Sequence, residues 1–196
     1  MVADVLAVLE KETVARCNEY AVREDRLRSL GGNLMIKAFT ADLPILFGGR
    51  GKPFKLSPPY FNVSHSGELF GIFLSDDGET GFDIQKIRHA KREFVAYAIG
   101  ETGGTIQSDA DFVKRWTVKE SAAKLTGEGI ADFKNQNFSG VDGNSFYYRG
   151  KNIYYKTFMR GEYAISACSY QPVSAEITVI ACEEILRKIK LKHDVL

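Results

Sequence analysis

Cysteine is scarce in this chain, and an excess of charge of either sign is absent. The three cysteines, Cys17, Cys168 and Cys182, lie far apart with no Cys-x-x-Cys spacing. An odd, sparse set argues against a disulfide framework or a zinc site and fits a reducing, cytoplasmic compartment. The net charge is +1. The protein as a whole is therefore not a polyanion binder, and nucleic acid is not an expected partner. Any affinity for phosphates has to come from local placement of lysine and arginine. No apolar run approaches the ~20 residues of a membrane span. The opening stretch, Met1-Val-Ala-Asp-Val-Leu-Ala-Val-Leu-Glu10, has no basic segment, so no signal peptide is expected there.

What is present is ordinary for a globular protein. The 196 residues are 44% hydrophobic and 26% charged, enough for a sizeable core in one large domain or two small lobes. Residues 4–20 read as a helix, possible interruption included, and Arg23–Ala41 as a second helix with Leu27, Leu30, Leu34 and Ala38 on its apolar face. Gly31-Gly32 inside it points either to close packing or to a break. The stretch 48–59 is a loop by composition. Alternation then predicts strands over Tyr60–Ser66, Leu69–Ser75 and Thr80–Gln85, joined by turns into a three-stranded antiparallel meander. A short helix is predicted over Phe94–Ile99, and a glycine-rich loop over Gly100–Ile106. The Ser-x-x-Asp spacing at Ser108–Asp111 marks a capping box before the helix 112–127, and Gly127 marks its end. Strands at about 145–149, 153–158, 162–169 and 175–182 follow, with turn signals at Asp142-Gly, Arg149-Gly and Arg160-Gly. Glu183–His193 is a basic amphipathic tail with Ile185, Leu186 and Ile189 as its apolar stripe. This order is α+β with antiparallel sheets, helix then meander in each half, although no sequence repeat supports the duplication.

Two stretches carry the chemistry. In Thr80-Gly-Phe-Asp-Ile-Gln85, Asp83 and Gln85 share one strand face. In the helix, Trp116, Glu120 and Lys124 recur at i, i+4, i+8 along one face. An acidic residue in an apolar strand is either paired, here with Lys119 or Arg115, or binds a hard cation together with Glu120. His65, in Asn62-Val-Ser-His-Ser66, is either a structural residue or a ligand. Ser64 and Ser66 beside it offer hydroxyl groups to an anion. Gly48-Gly-Arg-Gly-Lys-Pro53 could approach a nucleotide but lacks the Gly-Lys-Ser/Thr ending of a P-loop.

Gly51-Lys-Pro53, Phe61-Asn-Val-Ser-His-Ser-Gly67, Gly81-Phe-Asp-Ile84 and Trp116-Thr-Val-Lys-Glu-Ser-Ala-Ala-Lys124, in this order and spacing, resemble the phosphopantetheinyl transferases of the surfactin-synthetase-activating type. The resemblance runs over roughly residues 16–186. It implies two pseudo-twofold-related α+β lobes, divided at 1–88 and 89–196, with the active site in the cleft between them, acting as a monomer. It implies transfer of the phosphopantetheine arm of coenzyme A to a serine of an apo acyl or peptidyl carrier protein, with release of 3′,5′-ADP and dependence on Mg2+, with Mn2+ as an alternative. By the same resemblance Asp83 and Glu120 are metal ligands, with Gln85 at a third metal position. Lys124 lies on the diphosphate and acts as the acid for the leaving group, and Lys119, which precedes the metal glutamate, is another coenzyme A-binding residue. His65, Arg16 and Arg28 surround the 3′-phosphate, Lys52, Pro53 and Ser64 lie near the adenine and phosphates, and Glu101 is the general base. The carrier is expected to dock near Glu101 and the Gly103-Gly-Thr105 loop. Two departures stand out. Many members have Asp-x-Glu where this chain has Asp83-Ile-Gln85, which predicts a higher Mg2+ requirement. Thr13 stands where a lysine is common.

Overall fold

The computed structural model describes residues 2–40, 45–48, 52–99, 105–133 and 144–193. Glu101, Gly103, Gly104, most of the glycine-rich stretch before Lys52 and the Asp142-Gly turn lie outside the described residues.

The expected first helix is two helices, α1 (Val2–Val8) and α2 (Lys11–Asn18), with the interruption at Leu9–Glu10. Helix α3 (Arg23–Phe39) runs unbroken through Gly31 and Gly32. Close packing explains only the first of them. A Cβ on Gly31 would lie 2.5 Å from the Phe70 ring, whereas one on Gly32 would meet nothing within 4 Å. Just before the expected loop, β1 (Leu46–Phe47) pairs with β2 (Pro53–Phe54), which lies within it, in a short ladder. Strands β3 (Tyr60–Ser66) and β4 (Leu69–Ser75) form the predicted hairpin.

The next strand departs from expectation. Strand β5 (Thr80–Lys86) does not extend the hairpin as a third member of a meander. It heads a four-stranded antiparallel sheet with β6 (Ser145–Tyr148), β7 (Lys151–Arg160) and β8 (Tyr163–Ser169), in the order β5-β8-β7-β6. The physical reason lies in its other edge. The amides of Phe82, Ile84 and Lys86 donate to the side chains of Asn62 (3.0 Å), Ser64 (3.2 Å) and Ser66 (2.9 Å) on β3. Polar side chains at alternate positions of β3 thus take the place of a backbone ladder, and the strand's backbone pairing goes to β8. On the opposite face, Phe82 and Ile84 press over Gly71 of β4, where a Cβ would sit 2.6 Å from the Phe82 ring.

Helix α4 (Arg92–Ile99) precedes α5 (Asp109–Thr126), the long helix that covers β5 and β8. Both predicted helix ends hold: the Asp111 amide donates to Ser108 Oγ at 3.1 Å and Gly127 closes the helix at φ 73°, while the Asp111 carboxyl accepts from the Gln107 amide at 3.0 Å, one residue before the N-cap amide that a capping box uses.

The strand expected at 175–182 is absent. Strand β8 already has β5 and β7 on its two sides, so the chain after Ser169 leaves the sheet, with Ile177 and Val179 exposed. It leads to α6 (Cys182–His193), whose Ile185, Leu186 and Ile189 join Val5, Val8, Leu9, Leu30 and Leu34 in one buried cluster. The C-terminal stripe therefore completes the core of the N-terminal helices. The whole is α+β in two lobes, each an antiparallel sheet packed with a long helix: α3 on the β3–β4 hairpin, α5 on the four-stranded sheet.

Candidate active site

The site starts from a glycine. A Cβ on Gly81 would lie 1.8 Å from the carbonyl oxygen of Ser121, so only glycine lets β5 come this close to α5. Because side chains alternate, the face of Gly81 is also the face of Asp83 and Gln85. The strand face and the helix face postulated from the sequence therefore meet.

Asp83 is 2% exposed. Its Oδ1 accepts from Lys124 Nζ at 2.7 Å and from Ser64 Oγ at 3.0 Å. Lys124 Nζ also donates to the Phe82 carbonyl and to Ser64 Oγ, each at 3.0 Å. The structural partner of Asp83 is thus Lys124, and not Lys119 or Arg115. Arg115 is instead engaged by Asp111, with its Nε 3.0 Å from Oδ1. Asp83 Oδ2 is buried and has no hydrogen-bond partner, a costly arrangement for a carboxyl oxygen unless something binds there. Glu120, half-buried one turn before Lys124, has its carboxyl pushed above the usual range by burial and by the nearby charge of Asp83, with Lys124 opposing.

This constellation fits a hard divalent cation. Two neighbouring acids repel each other, one buried oxygen is unpaired, and the Gln85 amide lies on the same strand face. Mg2+ is held by one or two carboxylates and completes its shell with water and phosphate oxygens. Among the described residues no three His, Cys, Asp or Glu side chains gather in a metal-binding group. Gln85, two residues along β5 from Asp83, carries an amide where a carboxylate would add a charge.

The other sequence candidates fall into different places. His65 is exposed, and its imidazole is pushed below its usual value by burial and by Arg28 and Lys124, with Asp83 and Asp25 opposing. It therefore lies within the field of the site. Arg28 pairs with Asp25 at 2.8 Å. Arg16 donates to Thr13 Oγ1 at 3.3 Å and lies over the Phe47 ring, 5.0 Å from its centroid. It lines a cleft of about 330 Å3 together with Glu10, Asn33 and Lys37, and neither His65 nor Arg28 is among the described residues on its wall. Lys52 reaches the carbonyls of Thr80 and Lys124, where a cation complements the C-terminal end of α5. Burial pushes its ammonium below the usual value. Pro53 pairs with Phe47. Lys119 is 1% exposed and donates to the Ala98 carbonyl at 2.6 Å, and burial pushes it down to about 8. It faces α4, away from Asp83. Trp116 packs on Phe94 and Phe112, with ring centroids 5.1 and 6.2 Å apart.

Sequence reasoning gave no part to Asn62, and it did not foresee that β3 serves β5 through side chains. The available signal was Asn62-x-Ser64-x-Ser66, a polar face at strand spacing.

No family model matches the chain. It is 36% identical over 114 residues to the 4′-phosphopantetheinyl transferase AcpT of Escherichia coli, covering 52% of this chain and 58% of that protein. It is 31% identical over 144 residues to a 4′-phosphopantetheinyl transferase of Bacillus subtilis, covering 65% and 64%. With a Bacillus pumilus protein of the same name it shares 27% identity over 190 residues, covering 84% and 81%. The chain spans about three fifths of the length of the relatives that it matches at 30% identity or more. These matches are a similarity to 4′-phosphopantetheinyl transferases at moderate identity over part of their length.

Proposed function

We propose that this chain transfers the 4′-phosphopantetheine moiety of coenzyme A to a serine of an apo carrier protein, releasing 3′,5′-ADP in a Mg2+-dependent reaction. The observation that carries this reading is the meeting of Asp83, Glu120 and Lys124 between β5 and α5, with Asp83 Oδ2 buried and unpartnered. The similarity to named 4′-phosphopantetheinyl transferases supports it.

Asp83, Glu120 and the Gln85 amide would hold Mg2+, or Mn2+ in its place, and the bound ion supplies charge neutralisation at the diphosphate. The carrier serine oxygen forms a bond to the phosphorus on the pantetheine side, and the bridging P–O bond breaks. The serine proton passes to Glu101, the proposed general base. Lys124, with its side chain 30% exposed, is the cation that meets the diphosphate and gives the departing ADP its proton. His65, Arg28 and Arg16 bind the 3′-phosphate, Lys52 and Pro53 lie by the adenine and phosphates, and Lys119 supports the wall of the site through α4. Catalysis of this kind rests on positioning and charge, with the base adding about 10²–10⁴-fold.

We assign the chain to the two-lobed, surfactin-synthetase-activating type, a cytoplasmic monomer divided along the chain at residue 88 with the site in the cleft, β5 crossing into the sheet of the second half and α6 into the core of the first. The helix-and-sheet plan of both lobes supports that type, and three free cysteines suit a reducing compartment. No helix among the described residues is long and apolar enough to cross a membrane.

The test is mass spectrometry of apo acyl and peptidyl carrier proteins incubated with the chain, coenzyme A and Mg2+. A gain of one phosphopantetheine is expected. A second reading, a coenzyme A-binding accessory protein with weakened catalysis, is favoured by Gln85 where a second carboxylate is common. Coenzyme A binding with no mass gain on any carrier would select it.

A further inference from the structure

Ser64 sits at the centre of the site with no hydrogen-bonding capacity left over. A hydroxyl has one proton to donate and two lone pairs to accept. Ser64 Oγ donates to Asp83 Oδ1 at 3.0 Å and accepts from the Ile84 amide at 3.2 Å and from Lys124 Nζ at 3.0 Å. The residue is 8% exposed. A ligand phosphate would have to break one of these bonds to gain another.

We propose that Ser64 is a positioning residue for the metal site, and not a contact to coenzyme A. By engaging Asp83 Oδ1 it fixes the rotation of the carboxyl group, so that Oδ2, buried and unpartnered, is the oxygen left for the cation. By accepting from Lys124 it also sets the distance between that ammonium and the acid. Asn62 and Ser66, on the same face of β3, repeat the contact to β5 one step to either side. The polar face of β3 therefore holds in register the strand that carries both Asp83 and Gln85. The proposal rests on the transferase reading only in naming a divalent cation as the ligand.

Mn2+ binding to the whole chain without coenzyme A, followed by electron paramagnetic resonance, tests it. Ser64→Ala should weaken Mn2+ binding about tenfold, the usual cost of losing a partner of a metal ligand. Ser64→Thr, which keeps the hydroxyl, should restore it. Wild-type Mn2+ affinity in Ser64→Ala overturns the proposal, and a raised KM for coenzyme A alongside it assigns the hydroxyl to coenzyme A. A wild-type chain that binds no Mn2+ overturns it as well. If Ser64→Ala does not unfold cooperatively, Ser64→Cys, a weak donor and acceptor of similar shape, is read the same way. Ser64-dependent Mn2+ binding without transfer would sink the transferase reading alone. Transfer with Ser64-independent Mn2+ binding would sink this proposal alone.

Discussion

Lys119 and Lys124 lie on the same helix, and the fold uses their charges in different ways. Lys124, with its side chain 30% exposed, holds a carboxylate, two further acceptors and an opening to solvent. Lys119 is buried against α4 with its ammonium on the Ala98 carbonyl, and its affinity for a proton is reduced. The difference is one of helix face. The side of α5 that meets β5 finds Asp83 and the Phe82 carbonyl. The side that meets α4 finds Ala98, packed with the helix's own Phe112 and Val113 and with Ala164 of β8. A lysine on the first side keeps a carboxylate partner and access to solvent. On the second it is a structural donor at the end of a helix, and burial costs it part of its charge stability.

The largest way to break this contrast is Gly81→Ala. The added Cβ collides with the backbone of α5, and a loss of about 4 kcal/mol or more is expected in urea unfolding, together with the Asp83–Lys124 geometry. Asp83→Ala and Glu120→Ala should each lower transfer at least about a hundredfold while unfolding stays cooperative. Full activity in either would remove the metal assignment from the Lys124 side.

Lys119 offers a pH test of the other side. Its proton affinity falls from the usual 10.5 to about 8 in the folded state, so between these values the unfolded chain binds more protons. Its burial penalty is present in full below about pH 8 and fades as pH rises toward 10.5. The stability of the native chain relative to Lys119→Met should therefore rise with pH over that window, by up to about 3 kcal/mol. A flat difference would show that the Ala98 carbonyl offsets the burial. Gln85→Glu should lower the Mg2+ concentration for half-maximal transfer by up to about tenfold, since it adds a charged oxygen donor; an unchanged or higher value rejects Gln85 as a ligand. Ser108→Ala should cost only about 1 kcal/mol in thermal unfolding, because it removes one cap bond at the far end of α5.

Much of the local structure was legible in the residues. The caps of α5, the β3–β4 hairpin and the apolar stripe of α6 each follow from spacing within a single stretch. Asp83, Glu120 and Lys124 were legible as a group because strand and helix periodicities place them on defined faces. The pairing of β5 was not. An Asp-Gly turn after β4 suits a hairpin, and the polar spacing of Asn62, Ser64 and Ser66 does not by itself say that those side chains occupy the amides of β5. The apolar residues at 177 and 179 alternate like a strand, yet no edge beside β8 is open to them. Lys119 and Lys124 are equally plausible cations in sequence, and only the position of α4 separates them.

The sequence by itself determined most of the elements, the caps of α5, the α+β class and the strand and helix faces that carry Asp83, Glu120 and Lys124. Those features depend on periodicity and on contacts between near neighbours. Tertiary structure alone decided which sheet takes β5, that the C-terminal helix closes the N-terminal core, and that Asp83 is held by Ser64 and Lys124 with one oxygen left over. Each of these depends on which distant edge or face fills first, and hydrogen-bonding capacity, once used, is unavailable to the next segment of the chain.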